Sequence, residues 1–170
     1  SADAQAEPES EPTAQAEPAA ETEAEAAPPS DYSAGLVFVI DSTLSMDPYI
    51  DRTREAVMKI YDTLGDAGLL GSVYFGLVSF RDAPSAAPNI GYLTRTYVTL
   101  EQGENPATFL NNVNSLKAAN ASTKDFIEDS YAGVKEAIDS MQWEKYNARY
   151  IVLITDAGAR GAGDPLSSTG

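Results

Sequence analysis

Asp41, Thr43 and Ser45 occupy alternate positions directly after the nearly continuous apolar run Gly35-Leu36-Val37-Phe38-Val39-Ile40. Alternate side chains of an extended segment face one way, so one carboxylate and two hydroxyls are able to converge on a single point. A second apolar run, Tyr150 to Thr155 (YIVLIT), ends in the same manner at Asp156. If the two runs are neighbouring strands, Asp41 and Asp156 stand about 5 Å apart at one end of the sheet, the end where open α/β sheets bind ligands. A set made only of oxygen donors suits a hard divalent cation, Mg²⁺ first, with Mn²⁺ or Ca²⁺ as alternatives. Neutral hydroxyls leave most of the ion's charge unquenched, so it would still accept an Asp or Glu from a protein partner. Singly, each residue has a plainer explanation: an Asp at a strand end is often structural, and Ser45 or Asp47 could cap a helix. The combination is what points to metal.

Other chemistries are excluded by composition. The chain has no His and no Cys, which removes imidazole catalysis, thiolate metal sites and disulfides. Its formal charge is -15, and eight of the acids (Asp3, Glu7, Glu9, Glu11, Glu17, Glu21, Glu23 and Glu25) lie in the first thirty residues, which hold no aromatic, branched aliphatic or basic residue. Residues 1–33 are therefore expected to be a disordered acidic Ala/Glu/Pro linker, and residues 34–170 the folded domain. An acidic chain without a Lys/Arg cluster is a poor partner for nucleic acid or anionic lipid. No apolar run approaches the roughly 20 residues of a membrane span, so no direct membrane insertion is expected.

The elements that must position the site follow from periodicity. Asp47-Pro48 is expected to cap and open a helix bearing Ile50, Thr53, Val57, Ile60, Tyr61 and Leu64, with Gly65 as its stop. Ser72 to Phe80 reads as a second strand and Tyr92 to Leu100, which alternates apolar and polar residues, as a third at an edge. Asn105-Pro106 opens a helix through Phe109, Leu110, Val113 and Leu116, and another is expected from Phe126 through Ile127, Val134, Ile138 and Met141. Strands alternating with helices predict an α/β, doubly wound, mainly parallel sheet. After Asp156 only a loop is expected, which would leave the last strand uncovered on one flank and suggests truncation at the C-terminus.

With these residues in view, VFVIDSTLSM resembles the first loop of the metal-ion-dependent adhesion site of von Willebrand factor A (vWA) domains, and IVLITDAG resembles the third. GLVSFRD is similar to the family's second strand and following loop, and the order of elements, including an antiparallel edge strand, matches over residues 35 to about 160. The resemblance implies that Thr43 and Ser45 hold the metal directly and that Asp41 and Asp156 act mainly through bound water; Thr43 stands where Ser is commoner. The family's second loop usually offers a Thr after small residues. Here Asn120-Ala121-Ser122-Thr123-Lys124-Asp125 lacks the glycine pair, so Thr123 and Asp125 compete for that role, and Asp125 with Glu128 also reads as a capping box. Within the family, IDSTLSMDPYIDRTREAV and the acidic tether resemble bacterial vWA domains linked to membrane-anchored serine/threonine kinases of type VI secretion systems. That narrower likeness implies a periplasmic or extracytoplasmic domain tethered through its N-terminal linker.

The leading expectation is thus a metal-dependent protein-binding module without catalytic activity of its own. The enzyme alternative is a haloacid-dehalogenase-like Mg²⁺-dependent phosphotransferase, with Asp41 as nucleophile and the TDAGARGAGD loop holding the ion. Ser72 to Leu100 offers no clear Lys and acid pair for it, and Ser45 would have no task. The third possibility is a metal-free vWA scaffold that associates through the open flank beside residues 150–155. Arg81 and Asp82, just past the second strand, read as solvated surface without a role.

Overall fold

A computed structural model describes residues 31–85, 87–123, 127–161 and 163–167; the linker expected over residues 1–33 lies outside them apart from its last three positions. The apolar run of β1 (Ala34–Asp41) is continuous because the strand is central and covered on both faces. It pairs in parallel with β2 (Val73–Phe80) and β5 (Ala148–Ile154), and the antiparallel β3 (Thr94–Val98) completes a four-stranded sheet in the order β3-β2-β1-β5. The expected α/β sheet with one antiparallel edge strand is what the chain forms.

Strand alternation divides the core in two. Phe38 and Ile40 pack with Ile50, Val57 and Tyr61 of α1 (Ile50–Asp66) and with Phe109 and Val113 of α2 (Pro106–Ser115). Val37 and Val39 face the other way, into a cluster with Ala137 of α3 (Ser130–Ser140) and Met141 behind it. Each fully buried side chain of this size contributes about 2 kcal/mol. Two glycines permit close approach: a Cβ on Gly133 would lie 2.7 Å from Phe80 and 2.9 Å from Val39, and one on Gly103 would lie 1.7 Å from the carbonyl oxygen of Phe75.

Several boundaries differ from the sequence expectation. The first helix begins at Ile50, not at Asp47-Pro48, because the backbone between Thr43 and Tyr49 is engaged in tight turns: Met46 N donates to Thr43 O, Asp47 N to Leu44 O and Tyr49 N to Met46 O. It stops one residue beyond Gly65, at Asp66. Gly68, at φ 72°, closes the helix with Leu69 N donating to Leu64 O and Gly68 N to Gly65 O, both at 2.9 Å. The helix expected from Phe126 starts at Ser130, and its cap is Asp129, whose carboxylate accepts from Ala132 N, rather than Asp125 with Glu128. Ile127 and Glu128 are instead β4 (Ile127–Glu128), paired in parallel with β6 (Gly158–Ala159), so the segment after Asp156 is more than loop. Asn105 behaves as expected, its Oδ1 accepting from Ala107 N at 3.0 Å and Thr108 N at 3.4 Å. Tyr150, Ile151 and Leu153 of β5 are exposed. Among the described residues no helix is long and apolar enough to cross a membrane.

Candidate metal centre

β1 and β5 are neighbours in register from Ala34↔Ala148 to Ile40↔Ile154, so the residue facing the end of β1 at Asp41 is Thr155. Thr155 Oγ1 donates to Asp41 Oδ2 at 2.8 Å and accepts from Ala157 N at 3.1 Å. No local sequence pattern singles out Thr155; the strand register is the signal that finds it. On the other side Asp41 Oδ1 accepts from Thr43 N at 2.9 Å and from Thr43 Oγ1 at 2.7 Å. Thr43 is extended (φ -65°, ψ 168°), and the single 3₁₀ turn Leu44–Met46 that follows, anchored by buried Met46, carries Ser45 back over it. Thr43 Oγ1 then lies 3.1 Å from Ser45 Oγ, which donates to Asp156 Oδ1 at 3.1 Å. Asp41 and Asp156 are therefore joined by a chain of two hydroxyls. Asp41 and Thr43 are buried, whereas Ser45 and Asp156 are open to solvent.

This arrangement tests whether the residues fit a cation. The three oxygen-to-oxygen approaches, Asp41 to Thr43, Thr43 to Ser45 and Ser45 to Asp156, share only the two hydroxyl protons of Thr43 and Ser45. One approach is thus between lone pairs, which a positive ion would relieve. Two carboxylates meet here, and among the described residues neither pairs with Lys or Arg. Burial pushes the Asp41 carboxyl above its ordinary range and the charge of Asp156 adds to the rise, against the lowering hydrogen bonds from Thr43 and Thr155. Among the described residues no three His, Cys, Asp or Glu side chains are grouped so that they could hold a metal ion by themselves. A metal would depend on the hydroxyls, and the donor set is the hard, oxygen-only kind that Mg²⁺ accepts.

The loops are tied together by Arg81, which has a structural role that the sequence reading denied it. Its Nε donates to Ser42 O and Ser42 Oγ, each at 3.1 Å, Nη1 to Ile90 O at 2.6 Å and Nη2 to Lys117 O at 3.1 Å, with the guanidinium 4.2 Å above the Tyr92 ring. Ala119 N also donates to Ser42 O at 2.8 Å, docking the start of the second loop on the first. Thr123, half-buried, lies further along that loop, with its carbonyl accepting from Ser122 Oγ at 2.8 Å. Asp125 lies outside the described residues. The structure thus joins Asp41, Thr43, Ser45 and Asp156 by hydrogen bonds and adds Thr155. As a phosphotransferase nucleophile Asp41 is badly placed: its side chain has no exposed surface and both oxygens already accept hydrogen bonds.

Residues 35–169 match the family model for the von Willebrand factor type A domain. The alpha-protein kinase vwkA of Dictyostelium discoideum is 27% identical over 126 residues, which is 74% of this chain and 19% of that protein. Among solved structures, the open conformation of the pilus adhesin SpaC from Lactobacillus rhamnosus GG superposes with a TM-score of 0.52 at 20% identity, over 74% of this chain and 15% of that one. Proximal thread matrix protein 1 from the mussel byssus does so with a TM-score of 0.51 at 15% identity, over 79% and 31% respectively. At these identities the two structures speak for the fold alone.

Proposed function

Since the chain belongs to the von Willebrand factor type A domain family, whose members commonly mediate adhesion between proteins, we propose that it is a divalent-metal-dependent protein-binding module. The observation that carries the reading is the pair of carboxylates, Asp41 and Asp156, linked through Thr43 and Ser45 with no basic side chain to balance them among the described residues. Thr43 and Ser45 would hold the ion, Asp41 and Asp156 would orient and charge the site, and Thr123 or Asp125 would complete it from the second loop. Bound there, Mg²⁺ or Mn²⁺ would supply a positive site open to a carboxylate of the partner. The chain's own residues set the selectivity. Buried Asp41 is fixed by Thr43 and Thr155, while Ser45 and Asp156 form an exposed rim where a partner's acid can arrive. The domain itself is read as non-catalytic, and no kinase activity is carried over from a relative of which it spans 19%.

Calorimetric titration of the chain with Mg²⁺, Mn²⁺ and Ca²⁺ tests this. Saturable binding to one site is expected, lost in Asp41→Ala; a folded protein that takes up none of the three ions would refute it and leave the metal-free scaffold reading, which the exposed apolar residues of β5 favour. The acidic tether and the phrase IDSTLSMDPYIDRTREAV support a further placement, outside the inner membrane of a bacterium beside a secretion-associated kinase. Fractionation of the native cells checks it, and recovery in the cytoplasm refutes it.

A further inference from the structure

Asp82 follows Arg81 at the end of β2 and is fully buried against Arg160, whose side chain is 1% exposed. Arg160 Nε donates to Asp82 Oδ1 at 2.8 Å and Nη2 to Asp82 Oδ2, so the guanidinium holds the carboxylate as a two-pronged fork. Nη1 donates to Asp164 Oδ2 at 3.0 Å, and the backbone N of Arg160 donates to Glu128 O at 3.0 Å, extending the β4–β6 pairing. A buried ion pair adds little net stability over an apolar pair of the same volume. What the planar fork adds is fixed geometry.

That geometry bears on Asp156. The segment from Asp156 to Arg160 leaves β5 after Ile154 and is held at its far end by the fork and the short β4–β6 ladder. Between these anchors Asp156 is exposed, and its carboxylate is held among the described residues by one hydrogen bond, from Ser45 at 3.1 Å. Its direction is therefore set by where the loop is anchored, at the near end by Thr155, whose Oγ1 donates to Asp41 and accepts from Ala157 N, and at the far end by Arg160. We infer that Asp82 and Arg160 are positioning residues that keep Asp156 turned toward Ser45 and so complete the ion site. The inference rests on the metal reading of that site, and it gives both members of the Arg81-Asp82 dipeptide a part in holding the loops around it, Arg81 through Ser42, Ile90 and Lys117 and Asp82 through Arg160.

The test compares the wild-type chain with Arg160→Met, Arg160→Lys and the double variant Asp82→Leu/Arg160→Met, by Mn²⁺ calorimetry and by amide hydrogen exchange without metal. The double variant replaces the ion pair by apolar side chains and should keep the wild-type thermal midpoint. It should nevertheless bind Mn²⁺ about tenfold more weakly, the low end of the cost of losing a group that orients a metal ligand, because the fork acts on Asp156 through the loop and not by a direct hydrogen bond. Amides 156–160 should exchange at least about tenfold faster in both Met-containing proteins while those of α1 and α2 are unchanged. Arg160→Lys, which keeps the charge but not the fork, should fall between and carries the test if the Met variants do not fold. A folded double variant with wild-type Mn²⁺ affinity, or with unchanged exchange over 156–160, overturns the inference. If the wild-type chain takes up no Mn²⁺, the metal reading fails by itself, and the exchange arm alone decides whether the pair holds this loop.

Discussion

Replacing Asp41 by Asn should have opposite effects on the metal-free and metal-bound protein. Asn keeps the shape and three hydrogen bonds, while its second amide hydrogen has no acceptor among these contacts, at a cost of about 1–3 kcal/mol. Its Oδ1 still accepts from Thr43 N and Thr43 Oγ1, and its amide donates to Thr155 Oγ1, whose proton turns to the carbonyl of Ala157, 3.4 Å away. Neutral hydrogen bonds are weaker than those to a carboxylate by about 1 kcal/mol each, or about 3 kcal/mol over the two accepted and the one donated. Against this stands the cost of burying a carboxylate, several kcal/mol by itself, and its repulsion from Asp156. The upward displacement of the Asp41 carboxyl, with burial as its largest cause, gives the direction: the fold favours a neutral group there over a charged one. Without metal Asp41→Asn should thus melt at or above the wild-type temperature. With free Mg²⁺ at about 100 times its Kd, the wild type should gain about 2.7 kcal/mol, or roughly 10 °C at about 4 °C per kcal/mol for a domain of this size, and the variant should gain nothing. Thermal melts at several Mg²⁺ concentrations would therefore cross. A variant that is less stable without metal, or that keeps the Mg²⁺-dependent rise, refutes the reasoning, because the carboxylate would then be a structural anchor rather than a charge awaiting a cation.

Arg81→Lys can retain about one of the guanidinium's bonds to the carbonyls of Ser42, Ile90 and Lys117, so chemical denaturation should show a loss of about 2–3 kcal/mol. A loss below about 0.5 kcal/mol would mean that the loops are held by something else. Gly103→Ala drives a methyl into the Phe75 carbonyl; since backbone cannot step aside as a side chain can, a loss at the upper end of overpacking, about 3 kcal/mol, is expected in the same assay. Tyr146 is raised above the usual phenol value of 10.0 by burial, with the charge of Glu104 and Tyr74 and then Glu101 adding to it. The unfolded chain therefore ionises first, and the stability present below pH 10 is lost as pH climbs from 10 toward the folded value. Tyr146→Phe should flatten the alkaline limb of the midpoint-versus-pH curve; an unchanged limb would remove Tyr146 as its source.

The sequence by itself determined the elements whose rules are local. Continuous apolar runs marked β1 and β5 as strands, though only β1 is buried and β5 is an exposed edge, Asn105-Pro106 marked the start of α2, and the Asp-x-Thr-x-Ser spacing brought Asp41, Thr43 and Ser45 to one place, because all of these depend on residues a few positions apart. Tertiary structure decided the rest. Thr155 reaches Asp41 across 114 positions and Arg160 reaches Asp82 across 78, through a strand register and a loop path that no local pattern encodes. The same cause moved the helix starts: tight turns through Leu44–Met46 delay α1 to Ile50, and pairing of Ile127-Glu128 with Gly158-Ala159 delays α3 to Ser130. Arg81 and Asp82 looked like solvated surface because charge is normally solvated; only the partners supplied by distant loops make burying it tolerable.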